Sequence, residues 1–330
     1  MIVVGILGYG TMGKIRYENL KNYPGVIIKF VYDPFLNDSD VVNTNYLDDI
    51  FSSKEVNTIF VCTPNKFNFE YTKRALIRGK NVFCEKPPSF TSDQVLELIK
   101  IEEETTLKLM YGFNHRHHKS VQFIKEHLDG GEFGKLIWMR GRYGKSVDEN
   151  FFNNWRADFN SVGGGILMDQ GIHMVDLFLY LQNDLEPHSA LVSNYYWGHE
   201  NLEDNVFANF KSKSSKVVAS LHSTMTQWRH LFSLEVFLEK GYITLNGLIT
   251  SSGAYGKETI TIAKNRTTAP RATWSDEENI VFEEDNFWLS EINYFINSIK
   301  NNSKIDFCNS RDAYNVMNNI EKIYKIGKIY

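Results

Sequence analysis

Cysteine is scarce in this chain of 330 residues. Cys62, Cys84 and Cys308 show no paired spacing, which argues against a disulfide framework and leads us to expect a reducing, cytoplasmic setting. Only seven prolines occur, and no stretch is repetitive or of low complexity. Neither sign of charge dominates: 36 Lys and Arg stand against 40 Asp and Glu, for a net charge of −4 and a pI near 6.2. That removes any general attraction to nucleic acid or to an anionic membrane. Long apolar runs are missing too. The most apolar late stretch, Ile166 to Leu181, is interrupted by Asp169, His173 and Asp176 and is too short for a membrane span. Met1 to Gly10 is apolar but has no basic start and no small-residue cleavage site, so it reads as a first strand and not as a signal peptide. What remains is 42% hydrophobic residues, enough for ordinary cores, in a length that suggests two soluble domains.

The first third carries the clearest pattern. The apolar run Ile2 to Leu7 suits a buried parallel strand. It leads into Gly8-Tyr9-Gly10-Thr11-Met12-Gly13, then a helical stretch to Lys21, then the β-branched run Val26 to Tyr32, ending at Asp33. Strand, G-x-G-x-x-G, helix, strand and acid, with the acid about twenty residues on, is a dinucleotide-binding pattern. Gly8 permits the tight turn, Gly10 lets backbone approach a pyrophosphate, and Gly13 lets helix and strand pack closely. Asp33 suits the ribose hydroxyls of NAD and repels the 2′-phosphate of NADP, so NAD is the expected cofactor. Strands at Thr58 to Cys62, Asn81 to Cys84 and Leu107 to Phe113 alternate with helices ending near Arg78 and Glu104, which indicates a doubly wound parallel sheet. Loops after the strands line the cofactor crevice in such a sheet. Thr63-Pro64-Asn65 and Glu85-Lys86 fall there. Lys73, Arg74, Arg78 and Lys80 read as a solvated basic face.

A different pattern begins near Lys119. Strands are expected at Lys135 to Arg142, Ser189 to Trp197, Val206 to Phe210, Lys216 to Thr224, Phe232 to Leu238 and Tyr242 to Leu245. Short polar turns between several of them favour hairpins. The expected fold is therefore mixed α/β: a parallel domain over 1–118, then an α+β domain over 119–330 with an open, largely antiparallel sheet.

Within the second domain, Gly163-Gly164-Gly165 opens an expected helix that carries Asp169 and His173 at i and i+4, on one face. A carboxylate beside an imidazole suits proton transfer. The same spacing also suits a structural pair. The groups His115-Arg116-His117-His118 and Asp169/His173/Asp176 offer metal-ligand residue types, but the first lacks a clear third element and Asp176 suits packing or capping, so no metal is expected.

The dinucleotide start, the Glu85-Lys86-Pro87 after a strand, the glycine triplet and the Asp169/His173 spacing together resemble the glucose–fructose oxidoreductase / inositol dehydrogenase (Gfo/Idh/MocA) family, over essentially the whole chain. Gly112-Phe113-Asn114-His115-Arg116 resembles that family's interdomain segment, and Glu291 to Lys328 its closing helices. The resemblance implies a Rossmann first domain, a cis Lys86–Pro87 peptide and a catalytic group of Lys86, Asp169 and His173. It implies that a helix at about 311–325 packs back on the first domain, and that a free sheet face, here with Phe207, Trp228 and Phe237, makes a homodimer or homotetramer. Asn68 departs from the family, which often has histidine at that place.

Oxidising an alcohol with NAD requires moving a hydride to the cofactor and a proton to the protein. A histidine, with an ordinary pKa near ~6.5, suits the second task. His173 is the expected base, Lys86 the cation that stabilises the oxygen, and Asp169 a group that either hydrogen-bonds the substrate or positions the other two. His173 and Lys86 can exchange roles. Asn114, Arg116, Trp155 and Arg156 are expected substrate contacts, with Tyr111 near them. The expected activity is interconversion of a hydroxyl and a ketone on a sugar, cyclitol or nucleotide-sugar. The alternatives are an NAD-using glycoside hydrolase and a non-catalytic dinucleotide sensor.

Overall fold

The computed structural model describes residues 1–36, 41–199, 201–264, 273–283 and 286–328. The chain divides into two compact units, Met1–Asn114 with Phe287–Asn318, and His115–Asn286 with Asn319–Tyr330.

In the first unit, β1 (Ile2–Leu7), β2 (Val26–Tyr32), β3 (Thr58–Val61), β4 (Asn81–Cys84) and β5 (Leu109–Tyr111) form a parallel sheet in the order β2-β1-β3-β4-β5. Ile6, Leu7, Ile59, Phe60, Val61, Val82 and Phe83 are all inaccessible to solvent, as expected of strands covered on both faces. The covering helices are α1 (Thr11–Leu20), α2 (Leu47–Ser52), α3 (Asn68–Ile77) and α4 (Ser92–Glu103). Thr91 and Gln94 form a capping box that starts α4. The strand order reverses between β1 and β3, so the crevice lies beyond their carboxyl ends.

In the second unit, α5 (Lys119–Gly130) is followed by β6 (Leu136–Ser146), the short α6 (Phe159–Val162) and α7 (Ile172–Leu181). Strands β7 (Leu185–Ser193), β8 (Asn205–Ser212), β9 (Val218–Thr224), β10 (Thr226–Leu238), β11 (Gly241–Asn246), β12 (Glu258–Lys264) and β13 (Glu278–Phe282) complete the sheet β13-β12-β11-β10-β6-β9-β8-β7. Its pairs are antiparallel except β6 with β9. Leu234, Val236 and Leu238 alternate inward along β10. Helix α7 lies so close to β6 that a Cβ at Gly141 would come within 2.4 Å of Met174. That glycine sets how tightly helix and sheet pack.

The last helices are α8 (Phe287–Lys300), in the first unit, and α9 (Ser310–Gly327). Phe295 of α8 meets Phe60 and Phe83 edge-on at 5.7 and 5.6 Å, tying α8 to the parallel sheet. Replacing such a phenylalanine by alanine typically costs ~3–5 kcal/mol.

Three local expectations are corrected. The strand expected at 189–197 ends at Ser193, because the backbone N–H groups of Tyr196 and Trp197 both donate to Asp204 Oδ2 at 2.8 Å and close a turn. Lys80 is not solvated: it is buried and donates to the Ser53 and Val56 carbonyls at 2.6 Å each. The helix expected after the glycine triplet starts with a π turn, Leu167–Gly171, before α7 begins.

Candidate functional site

The glycine loop has the geometry that a dinucleotide needs. Gly8 has φ +89°, and a Cβ there would lie 2.5 Å from the Cys62 carbonyl oxygen, so the loop packs directly on the turn that leads to Thr63. A Cβ on Gly13 would lie 2.0 Å from Gly8 O. At Gly10 nothing lies within 4 Å of a Cβ position. Gly10 is also the N-cap of α1, which has no side-chain cap and no acid in its first turn. The helix start, with Thr11 and Met12, therefore offers free N–H dipole to an anion. Asp33, at the end of β2, accepts from Tyr9 N at 2.7 Å and from Phe35 N at 2.9 Å. Each carboxylate oxygen keeps a second lone pair for a ribose hydroxyl. These residues fit a dinucleotide.

Thr63, Pro64 and Asn65 follow β3 and lead into a 3₁₀ turn at Asn65–Phe67. Asn68 fills a bracing role. Its amide donates to the carbonyls of Glu85 (3.2 Å) and Pro87 (2.8 Å) and accepts from Thr63 Oγ1 (3.2 Å). Both crevice loops are thus joined, and Lys86 sits between two braced carbonyls. The Lys86–Pro87 peptide is cis.

Glu85 takes part in an inward ion pair: Arg16 binds Glu85 Oε1 through Nε (2.8 Å) and a terminal nitrogen (2.7 Å), and reaches Glu291 at 2.6 Å. Arg16 is wholly buried, with its guanidinium 4.4 Å from the Phe83 ring centre and 4.9 Å from that of Trp288. Burial pushes the Glu291 carboxyl up to about 8, against the pull of Arg16 and with the help of the Glu85 charge. Burial likewise pushes the Cys84 thiol up to about 12, so it is no ready nucleophile.

In the second unit, the glycine triplet and its following turn are held by Glu203. Its carboxylate accepts from Gly165 N (2.7 Å), Leu167 N (2.9 Å) and the Tyr324 hydroxyl (2.8 Å). A Cβ at Gly165 would lie 2.2 Å from Glu203 O, which explains the glycine. Burial raises the Glu203 carboxyl, and the backbone donors oppose it.

The π turn held this way carries Asp169, and α7 carries His173. Asp169 Oδ2 accepts from Lys145 Nζ at 2.5 Å. Lys145 is at the end of β6, two residues beyond Tyr143, on the same side of the sheet. The His173 ring stacks on that of His115, centroids 3.9 Å apart. His115 Nε2 lies 3.0 Å from the Tyr143 hydroxyl. Tyr255 stands edge-on to Tyr143 at 5.3 Å. Burial raises both phenols, and the Asp169 charge raises them further. Sequence reasoning missed Lys145, Tyr143 and Tyr255. A signal was there for Lys145, since odd positions from Met139 onward share the inner face of one strand.

The Arg116 guanidinium grips both oxygens of Asp176, at 3.0 and 2.6 Å, within the second unit's core. His118 is similarly used, at 2.9 Å from Glu258 Oε2. Asn114 is buried and begins a 3₁₀ turn ending at His117. Tyr111 is buried in β5. Trp155 and Arg156 lie on an exposed 3₁₀ turn, the guanidinium 4.8 Å from the indole ring centre. Among the described residues, no group of three or more His, Cys, Asp or Glu is placed to hold a metal, and no helix is long and apolar enough to cross a membrane.

A parallel dinucleotide-type sheet joined to an open mixed sheet defines a class of two-domain oxidoreductases. Two family descriptions match the chain: the oxidoreductase family with an NAD-binding Rossmann fold over residues 2–113, and the GFO/IDH/MocA C-terminal domain over residues 121–244. The chain belongs to the Gfo/Idh/MocA oxidoreductase family. It is 28% identical over 188 residues to the uncharacterized oxidoreductase YrbE of Bacillus subtilis, covering 54% of this chain and 53% of that one. The match thus spans about half the length of that relative. Over 250 residues it is 24% identical to the inositol 2-dehydrogenase of Rhizobium meliloti, covering 72% and 74% of the two chains. Levoglucosan dehydrogenase in complex with NADH has a similar fold, with TM-score 0.85 and 19% identity over 99% of this chain and 98% of the other.

Proposed function

We propose that the protein is an NAD-dependent oxidoreductase that interconverts a hydroxyl and a ketone on a sugar, cyclitol or nucleotide-sugar. One observation carries the reading. A buried histidine, His173, sits four residues from an ion-paired aspartate, Asp169, on a rigid turn, in a chain whose first unit has an open glycine loop. That is the equipment for moving a proton in a protein built to bind a hydride carrier.

Bound NAD supplies the hydride acceptor. The loop from Gly8 to Gly13 receives its pyrophosphate, and Asp33 favours an unphosphorylated ribose. The Thr63-Pro64-Asn65 turn and the Lys86 loop border the same crevice of the first unit. Lys86 donates a hydrogen bond to the reacting oxygen and stabilises negative charge there as it develops. His173 accepts the hydroxyl proton in oxidation and returns it in reduction. Asp169 accepts a hydrogen bond from substrate and orients the proton-handling groups. Trp155 offers an apolar ring face to sugar C–H groups, and Arg156 and Asn114 offer polar contacts. The exposed aromatics of the second sheet, Phe207 on the outer face of β8 and Trp228 on β10, suit association into a homodimer or homotetramer.

The test is a panel of polyols and nucleotide-sugars mixed with protein and NAD, with matching ketones and reduced cofactor in parallel. The proposal predicts appearance or loss of reduced-nicotinamide absorbance with at least one member. No change with any member refutes it. Glycoside cleavage without net cofactor change would favour a hydrolase instead.

A further inference from the structure

Lys145 lies outside the glycine loop, the Glu85-Lys86-Pro87 turn and the glycine triplet, yet it makes the 2.5 Å ion pair with Asp169. We propose that Lys145 is a positioning residue that keeps Asp169 ionised and aimed, and so sets the lower pH limit of the reaction. The inference rests on the functional reading above for its kinetic part only.

The surroundings of Asp169 give the lysine its task. Both partners are largely shielded, with side chains 17% and 26% exposed. Titratable groups around the pair include Tyr143 on β6, Tyr255 on the β11–β12 connection, His173 on α7 and His230 on β10, and the functional reading above brings Lys86 to the same reacting oxygen. His230 packs on Tyr255 at 4.9 Å. Its imidazole is lowered by burial and then by the Lys145 charge. His115 is joined to this group through its hydrogen bond to Tyr143. Burial raises the Tyr143 and Tyr255 phenols, which keeps both neutral. Lys145 is a permanent cation in direct contact with the carboxylate. An opposite charge within hydrogen-bonding distance favours the ionised carboxylate and lowers its pKa.

The lysine stem also fixes where the carboxylate points. Lys145 directly follows Gly144, which pairs with both β10 and β9. Its ammonium also lies 5.4 Å from the Phe151 ring centre, which limits its rotamers. The Asp169 backbone is fixed from the other direction by the turn held on Glu203.

The test compares the full-length wild type with Lys145→Met and Lys145→Arg. Aspartate side-chain carboxyls are labelled with ¹³C, the Asp169 signal is assigned with Asp169→Asn, and its titration is followed by NMR. The Asp169 midpoint is expected to rise by about one pH unit or more in Lys145→Met and to return towards wild type in Lys145→Arg. Should Lys145→Met not fold, Lys145→Gln carries the same expectation. An unchanged midpoint in the neutral variant overturns the proposal, and this holds even if no substrate is ever turned over. With an active substrate, the acid limb of kcat/KM is expected to move up with the same variant and to be restored by arginine. A uniform loss of activity at all pH values, not restored by arginine, contradicts a positioning role.

Discussion

Gly10 and Gly13 differ in a way that separates binding from folding. Replace each in turn by alanine. Gly10 has φ −70°, a value that alanine adopts freely, and nothing lies within 4 Å of the added carbon. Stability should stay within about 0.5 kcal/mol of wild type, or rise slightly as the unfolded chain loses freedom. The new methyl group nevertheless occupies the space through which backbone N–H groups approach a pyrophosphate. Losing charge-assisted hydrogen bonds of ~1.5–3 kcal/mol weakens NAD binding by about ten- to 150-fold. Gly13 behaves in the opposite sense. Its Cβ would stand 2.0 Å from a backbone oxygen, so helix and loop must separate. Overpacking of that kind costs ~1–3 kcal/mol and lowers the melting temperature by several degrees. Calorimetric NAD titration and thermal melting of both variants decide the matter. Wild-type NAD affinity in Gly10→Ala, or a wild-type melting point in Gly13→Ala, would refute the loop geometry argued above.

Asp33→Asn keeps the shape and removes the charge, so the affinity ratio of NADP to NAD should rise about tenfold or more; competitive titration of the two cofactors measures it. Stability should depend on pH through Glu291, whose carboxyl lies above its unfolded value of 4.5, at about 8. The folded state then holds the extra proton between those values. Stability is greatest below about 4.5 and falls as pH rises towards about 8, by at most ~1.4 kcal/mol per unit. Denaturant melts at successive pH values should show this slope in wild type and a flatter one in Glu291→Gln. Trp228 is fully exposed, so Trp228→Ser should leave folding stability within about 0.5 kcal/mol. If the exposed aromatics of the second sheet mediate self-association, the same change should lower the mass measured by sedimentation, and an unchanged mass excludes Trp228 from the contact.

Much of the fold was legible in the sequence because its signals are local. The bounds of β1, β2 and β4 follow from apolar runs that stop at Gly8, Asp33 and Glu85. The glycine loop was legible because each glycine answers a separate steric demand. Strands β12 and β13 escaped notice, although the Thr/Ile alternation from Thr259 to Ile262 is plain once paired with β11. The π turn escaped because helical periodicity alone does not distinguish it from α-helix over five residues. The site was half legible. Asp169 and His173 could be paired by spacing, but their partners arrive from elsewhere in the chain: Lys145 from β6, His115 from the turn before α5, Glu203 from the turn before β8. Likewise Glu85 and Arg116 carry motif-like positions, yet each answers a buried opposite charge, Arg16 and Asp176, that only the fold reveals.

The central claim is that the chain moves a hydride and a proton at one carbinol centre. A crystal structure of the protein soaked with NAD and a substrate from the panel tests it most directly. A substrate carbon is expected about 3–3.5 Å from the reactive nicotinamide carbon, with its oxygen within hydrogen-bonding reach of Lys86 or His173. Bound cofactor with the substrate oxygen distant from both side chains would contradict it.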